Sequence, residues 1–191
     1  RETNKEICSI FKSAGAKPEA IIGSDGLLIC ERKPPVAIKN RLPEELVDLG
    51  RVGTVVRVEA GMIFDLIGKG RVPIIAPLGR DKSDMTLNVN ADTAAGSIAG
   101  ACSEEFVLLT DVDGILLHGS GGKQFAKELK ISEIEDLIGN GMITEGMFPK
   151  TEACMQAIAS GVKTARIVNG LQEHALRSVF SDNPPGTKIF R

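Results

Sequence analysis

Asn88-Val89-Asn90-Ala91-Asp92-Thr93-Ala94-Ala95-Gly96 is the stretch whose reading decides the fold. It stands between an apolar run at residues 72–77 and a small-residue segment at 91–101 that has the spacing of a helix. Strands that give way to helices define an α/β chain, and in open α/β sheets ligands gather where strands end and helices begin. A helix N-terminus exposes unpaired backbone N–H groups and the positive end of the dipole, which favours anions. A helix needing only a cap uses a single Asn or Asp; here two amides and a carboxylate alternate with Val and Ala. The stretch is therefore either an Asn-rich cap or a polar ligand site at the mouth of a sheet.

Working outward, the pattern predicts a helix over residues 4–14, with Ile7, Ile10, Phe11 and Ala14 at helical spacing and Gly15 as its stop. Short strands at 20–22 and 27–30 flank Gly23-Ser24-Asp25-Gly26, which reads as a hairpin turn. Residues 33–45, with Pro34, Pro35 and Pro43 among charges, read as an irregular connector. Strands follow at 52–58, 72–77, 106–110, 115–117, 165–168 and 187–190. Helices are expected at 60–68, from about 90, at 132–139 with Ser132 as cap and Glu135 three residues on, at 146–160 and at 171–180. Residues 118–122 are Gly-rich and read as flexible. Alternating strands and helices imply an α/β fold, a three-layer αβα sandwich around a mostly parallel central sheet.

Composition narrows the function. The 191 residues carry a net charge of −2 with both signs spread evenly, so no basic stripe points to nucleic acid. Trp and Tyr are absent and Phe numbers seven, leaving few platforms for base stacking. No apolar run approaches the roughly twenty residues of a membrane-spanning helix. The expectation is a soluble protein with no nucleic-acid or membrane partner. Cys8, Cys30, Cys102 and Cys154 lie far apart with no C-x-x-C spacing, and only His118 and His174 accompany them, so no metal site is readable. Four reduced thiols suit a cytoplasmic setting, with a plastid or mitochondrial matrix left open. The chain starts at Arg1 inside an apparent helix, which suggests an upstream segment removed by processing or truncation.

Three segments bring polar groups to strand ends. The first is Asn88 to Asp92. The second is Leu109-Thr110-Asp111-Val112-Asp113-Gly114, where a strand breaks into a turn bearing a hydroxyl and two carboxylates. The third is Gly141-Met142-Ile143-Thr144-Glu145-Gly146-Met147-Phe148-Pro149-Lys150, whose glycines allow a ligand close to the backbone. Lys150 falls in the first turn of a helix, where a cation opposes the dipole by a few tenths to about 1 kcal/mol. A bound phosphate reverses that sign, because ammonium and N–H groups then act on one anion. An ordinary solvated lysine is the alternative, and Asp92 and Asp111 also read as caps. Neither G-x-x-x-x-G-K-[ST] nor G-x-G-x-x-G occurs, so phosphate binding would need another arrangement.

The segments Asn88-Val89-Asn90-Ala91-Asp92, Leu108-Leu109-Thr110-Asp111-Val112-Asp113-Gly114-Ile115-Leu116, Gly146-Met147-Phe148-Pro149-Lys150 and Gly161-Val162-Lys163-Thr164-Ala165 resemble the acetylglutamate kinases of the amino-acid kinase superfamily. Asp48-Leu49-Gly50-Arg51-Val52-Gly53 and Gly186-Thr187-Lys188-Ile189 extend the resemblance in the same order. The resemblance implies transfer of the ATP γ-phosphoryl group to the side-chain carboxylate of N-acetyl-L-glutamate, with Mg²⁺ held mainly by the phosphates. It implies Asn88 and Asn90 as substrate ligands, Asp92 as organiser of catalytic lysines and Lys150 as stabiliser of the transferring phosphoryl. It implies a nucleotide site lined by Thr110, Asp111, Val112, Asp113, Gly114, Ile115, Leu116, Met142, Ile143 and Thr144. It further implies the amino-acid kinase fold, a homodimer or higher homo-oligomer, and a PII-type signalling protein as a partner.

The resemblance covers nearly all of this chain but about the C-terminal two-thirds of the family's domain, with residues 1–50 ending the substrate-binding lobe and 51–191 forming the nucleotide-binding lobe. The family's first strand, with its lysine and phosphate-binding glycines, has no counterpart, so these residues alone are expected to show little or no kinase activity. Glu145 stands where the family usually has Gly, and Thr54 where it often has Glu. Two other functions remain open at this stage: phosphorylation of another acyl amino acid such as an aminoadipate derivative, or a non-catalytic module of the same fold that senses arginine or ATP.

Overall fold

Val72, Ile74 and Ile75 are β-branched, and such residues fit a pleated, half-buried surface. They form a strand, β6 (Val72–Ala76), in the computed structural model, which describes residues 2–37, 46–119, 122–143 and 145–191. The chain divides into two compact units, Arg1–Ala94 and Ala95–Arg191.

In the first unit, β6 pairs in parallel with β1 (Pro18–Ile22), with Ile21 opposite Ile75. Helix α1 (Glu2–Ser13) packs against both strands and is tied to them by one buried amide. Asn4 Nδ2 donates to Ile21 O at 3.1 Å and to Ile74 O at 3.0 Å. That arrangement corrects the expected hairpin at residues 20–30. Gly23–Asp25 is a 3₁₀ turn, and the next strand, β2 (Leu28–Arg32), leaves for a different sheet. There β2 lies between β5 (Gly53–Val58), antiparallel, and β7 (Leu78–Arg80), parallel, with β8 (Thr86–Asn88) beyond β7. Leu27, Leu28, Cys30, Val55, Leu87 and Val89 are the buried apolar residues around this sheet. Residues 33–37 of the expected irregular connector include β3 (Val36–Ala37), which pairs antiparallel with β4 (Leu46–Val47), while 38–45 lie outside the described residues. Helix α2 (Gly61–Gly68) packs on β6.

Helix α3 (Ala91–Cys102) carries the chain from the first unit into the second. The second unit has its own four-stranded sheet. Its strand β13 (Thr164–Asn169) runs parallel to β9 (Glu105–Thr110) and antiparallel to β14 (Thr187–Phe190), with β12 (Glu128–Lys130) parallel to β14. Helix α5 (Phe148–Ala159) packs over β9, β13 and β14, burying Ala153, Cys154, Ala157 and Ile158. Gly96 lets α3 approach α5 closely, since a Cβ there would stand 2.8 Å from Ala153 O. Phe106, Leu108, Ile115, Leu129, Ile134, Ile143, Ile167 and Ile189 join those α5 residues in one continuous core.

Three local expectations change in this unit. Residues 118, 119 and 122 belong to a hairpin, β10 (Leu116–Gly119) with β11 (Gly122–Phe125), and residues 120–121 lie outside the described residues. Helix α4 (Ile131–Gly139) starts one residue early, so Ser132 sits inside its first turn and is not the cap. The N-terminal bond runs instead from Lys130 N–H to the Glu133 carboxylate at 2.6 Å. The helix expected over 171–180 shrinks to α6 (Ala175–Ser178), because His174 takes the left-handed conformation with φ 58°. Leu171, Leu176 and Phe180 stay exposed, so little apolar burial drives a longer helix. The α/β class itself stands, with parallel pairs in both units.

Candidate active site

The polar stretch from Asn88 to Asp92 sits where a strand becomes a helix. Asn88 closes β8, and its N–H donates to Arg51 O at 2.7 Å, bridging the strand to Val52. The neighbouring turn is pinned by charge. Arg32 Nη2 lies 2.8 and 2.7 Å from the two Asp48 oxygens, and Arg32 Nε donates to Gly50 O at 2.9 Å. The Gly50 N–H donates to Asp48 Oδ1 at 2.8 Å. That bond, followed by the Arg32 guanidinium, holds the Asp48 carboxyl below its ordinary range.

Asn90 caps α3. Its Oδ1 accepts from Thr93 N–H at 3.0 Å and from Thr93 Oγ1 at 3.2 Å. The capping alternative is therefore realised for Asn90, yet the cap uses only the amide oxygen and leaves the Nδ2 hydrogens to donate. Asn88 is exposed, and Asp92 is half-buried in the first helical turn. The three residues lie within five positions of one another, at the end of β8 and the start of α3.

In the second unit, Thr110 ends β9 and the chain turns through Asp111, Val112, Asp113 and Gly114 before entering the hairpin. The turn is tied at several points. Gly170 N–H donates to Thr110 O at 2.7 Å, and Thr110 Oγ1 donates to Asp111 Oδ1 at 3.0 Å. Asp113 Oδ1 accepts from Asn169 Nδ2 at 2.8 Å and from Gln172 Nε2 at 2.9 Å. Both carboxylates are exposed, but Asp113 spends its own on anchoring the loop to Asn169 and Gln172, while Asp111 accepts from its neighbour Thr110. Val112 packs partly buried against the core, and Ile115 and Ile143 lie inside it, so these residues support the loop from beneath. Met142 is half-buried beside Ile143, and Thr144 lies outside the described residues. A cavity of about 470 Å³ opens beside Asp113, Asn169 and Gln172, with Phe125 and Pro184 among its walls.

Lys150 stands in the first turn of α5, half-buried, with Pro149 before it. Thr151 is fully buried and its hydroxyl donates to Met147 O at 3.1 Å and Phe148 O at 3.0 Å, which fixes the turn that carries the lysine. By unit, Asn88, Asn90 and Asp92 belong to Arg1–Ala94, and Lys150, the Thr110–Leu116 turn and Met142–Ile143 to Ala95–Arg191.

Residues 4–169 match the amino acid kinase family. The chain belongs to that family. It is 38% identical over 192 residues to the acetylglutamate kinase of Halothermothrix orenii, covering 100% of this chain and 64% of the relative. With the acetylglutamate kinase of Methanocaldococcus jannaschii it shares 39% over 191 residues, covering 98% of this chain and 64% of the relative. The chain thus spans just under two-thirds of the length of these relatives. Among solved structures, Giardia lamblia carbamate kinase bound to AMP-PNP superposes with a TM-score of 0.69 at 18% identity, over 98% of this chain and 67% of that one. An N-acetylglutamate synthase from Neisseria gonorrhoeae, complexed with coenzyme A and L-arginine, gives 0.72 at 21% identity, over 92% and 38%. These likenesses establish the amino acid kinase fold.

Sequence reasoning missed the residues that hold the second unit's Thr110–Leu116 turn in place: Asn169, Gln172 and Thr187 in a role as anchors. Asn169-Gly170 directly after a β-branched strand was the available signal, since Asn and Gly cluster where strands break into turns.

Proposed function

We propose that this chain belongs to an enzyme that transfers the γ-phosphoryl group of ATP to the side-chain carboxylate of N-acetyl-L-glutamate. A carboxylate oxygen attacks phosphorus, the bond to the ADP oxygen breaks, and an acyl phosphate forms. The observation that carries the substrate is 38–39% identity to acetylglutamate kinases along 98% or more of this chain. The site chemistry agrees. Phosphoryl transfer needs in-line positioning and neutralisation of the equatorial oxygens, and little covalent chemistry from the protein.

In this reading Asn88 and the free Nδ2 of Asn90 donate to the acyl amino acid. Asp92 orients lysine ammonium groups through charge-assisted hydrogen bonds. Lys150 neutralises charge that builds on the transferring phosphoryl, acting with the N–H groups of its helix turn. The exposed Asp111 and the Thr110 hydroxyl face the nucleotide. Magnesium fits by its ligand preferences, because it keeps waters and binds through one or two carboxylates plus substrate phosphates. Single carboxylates such as Asp111 suit that mode. When bound, the ion supplies further neutralisation of the phosphates.

The lobes expected at residues 1–50 and 51–191 are redrawn in this proposal at the unit boundary, with the acceptor on Arg1–Ala94 and the nucleotide on Ala95–Arg191. A cytoplasmic setting, self-association and a PII-type partner belong to the same reading. The exposed Ile7, Ile10 and Phe11 of α1 are the surface to probe for self-association by light scattering.

The test is ADP release with ATP and Mg²⁺, using N-acetylglutamate, N-acetyl-aminoadipate or no acceptor. It is run on the 191 residues and on a chimera that supplies the remaining length from the Halothermothrix orenii relative. Release that depends on N-acetylglutamate is expected from the chimera. Release with aminoadipate alone, or with neither acceptor, contradicts the assignment.

A further inference from the structure

Thr187 lies deep in the second unit, at the start of β14 and with 0% of its surface exposed. A hydroxyl carries one donor hydrogen and two acceptor lone pairs, and burying it unpartnered is costly. Here both functions are used on segments far away in sequence. The Ile115 N–H donates to Thr187 Oγ1 at 2.8 Å, and Thr187 Oγ1 donates to Ala126 O at 2.6 Å. Ala126 N–H in turn donates to Ile115 O at 2.9 Å.

Ile115 and Ala126 follow directly from the hairpin register, in which Leu116 pairs with Phe125. A hydrogen-bonded antiparallel pair exchanges two N–H to O bonds. At Ile115 and Ala126 one of those bonds is direct and the other passes through the Thr187 hydroxyl. Strand β14 is thereby spliced into the foot of the β10–β11 hairpin. The splice leaves no room for a side chain at the end of the preceding turn. Gly114 has φ +138°, and a Cβ there would stand 2.5 Å from Thr187 Oγ1.

We propose that Thr187 is a positioning residue for nucleotide binding, its buried hydroxyl fixing the exit of the Thr110–Leu116 turn. The proposal rests on the reading above that this turn faces the nucleotide. The entrance of the turn is fixed independently by Gly170 N–H on Thr110 O, and its middle by Asn169 and Gln172 on Asp113. Thr187 therefore closes a frame that leaves the exposed Asp111 as the part of the turn free to meet a ligand.

The experiment compares the unmodified chain with Thr187→Val and Thr187→Ser in MgADP titrations by calorimetry, each variant checked for folding by circular dichroism and thermal midpoint. Valine matches threonine in shape but lacks the hydroxyl, and is expected to weaken MgADP binding by about tenfold. Serine keeps the hydroxyl and is expected to restore affinity to within about twofold of the unmodified chain. A folded Thr187→Val protein with unchanged affinity overturns the proposal, as does a folded serine variant as weak as valine. Amide hydrogen exchange of the unmodified chain gives a second measurement that needs no variant. Saturating MgADP is expected to slow exchange at Ile115, and unchanged exchange there also overturns the proposal. Absence of any MgADP binding by the unmodified chain overturns the nucleotide reading itself, whereas binding that survives the loss of the hydroxyl overturns the role of Thr187 alone.

Discussion

The two units of this chain bury their apolar residues in contrasting ways. In Ala95–Arg191 the helices, sheet and hairpin share one core, with Ile115, Ile134, Ile158, Ile167 and Ile189 all fully buried. In Arg1–Ala94 the apolar side chains are spread thinly. Leu27, Leu28 and Leu87 are fully buried, yet Ile10, Phe64 and Ile67 on the two helices are more than half exposed. Most large apolar side chains that remain exposed among the described residues belong to this first unit. Its β1–β6 pair is only two strands wide, and such pairs are marginal without packing against other elements. The difference teaches where precision is held. The second unit fixes its Thr110–Leu116 turn through the buried hydroxyl of Thr187 and, nearer the surface, the amides of Asn169 and Gln172. The first presents its polar groups from a strand end and a helix cap.

Truncation inside the larger core separates the units most strongly. Ile158→Ala is expected to cost about 2–5 kcal/mol in denaturant unfolding, the range for a fully buried aliphatic side chain. Leu87→Ala in the smaller core belongs to the low end of that range, because a thin core relaxes more readily into the space left. A larger loss at Leu87 than at Ile158 would break the comparison. Asn90→Ala removes the cap of α3 and is expected to cost about 1 kcal/mol. Ile10→Ala, at a side chain 67% exposed, should change stability by less than about 0.5 kcal/mol.

Acid gives the smallest effect. The Asp48 carboxyl is held below its ordinary range, so it adds stability above the unfolded carboxylate value of about 3.9, and that contribution disappears as pH falls through its lower folded value. Asp48 is solvent-exposed, which keeps the contribution small. Asp48→Asn should flatten the acid limb of a stability profile below about pH 4 without moving its neutral plateau. A profile that keeps its slope assigns that limb to other carboxylates.

The sequence made the second unit easier to read than the first, for the same physical reason. Local periodicity is strong where an element packs on one continuous core, so the strands near 106–110, 165–168 and 187–190 and the helix carrying Lys150 emerge close to their observed positions. Which strand pairs with which is a non-local matter. Ala20–Ile22 and Leu27–Cys30 look like hairpin arms until Asn4 and β6 claim the first of them. Ser132 is a plausible cap by residue type, but the end of β12 starts its helix one residue sooner. The candidate site divides in the same way. Asn88, Asn90, Asp92 and Lys150 are visible as polar groups at helix starts. The anchoring of Asp113 by Asn169 and Gln172, and of Ile115 by Thr187, joins residues more than fifty positions apart and leaves no local pattern.

The central claim is that the first unit receives the acyl amino acid and the second handles the phosphates. Two-substrate steady-state kinetics of Asn88→Ala and Lys150→Met, in the chimera described above, tests it most directly. Asn88→Ala is expected to raise KM for N-acetylglutamate while leaving KM for ATP nearly unchanged. Lys150→Met is expected to lower kcat on the order of a hundred- to a thousandfold, the loss typical of removing one group that stabilises transition-state charge. Near-normal turnover in Lys150→Met, or an Asn88→Ala defect confined to ATP, would contradict the account.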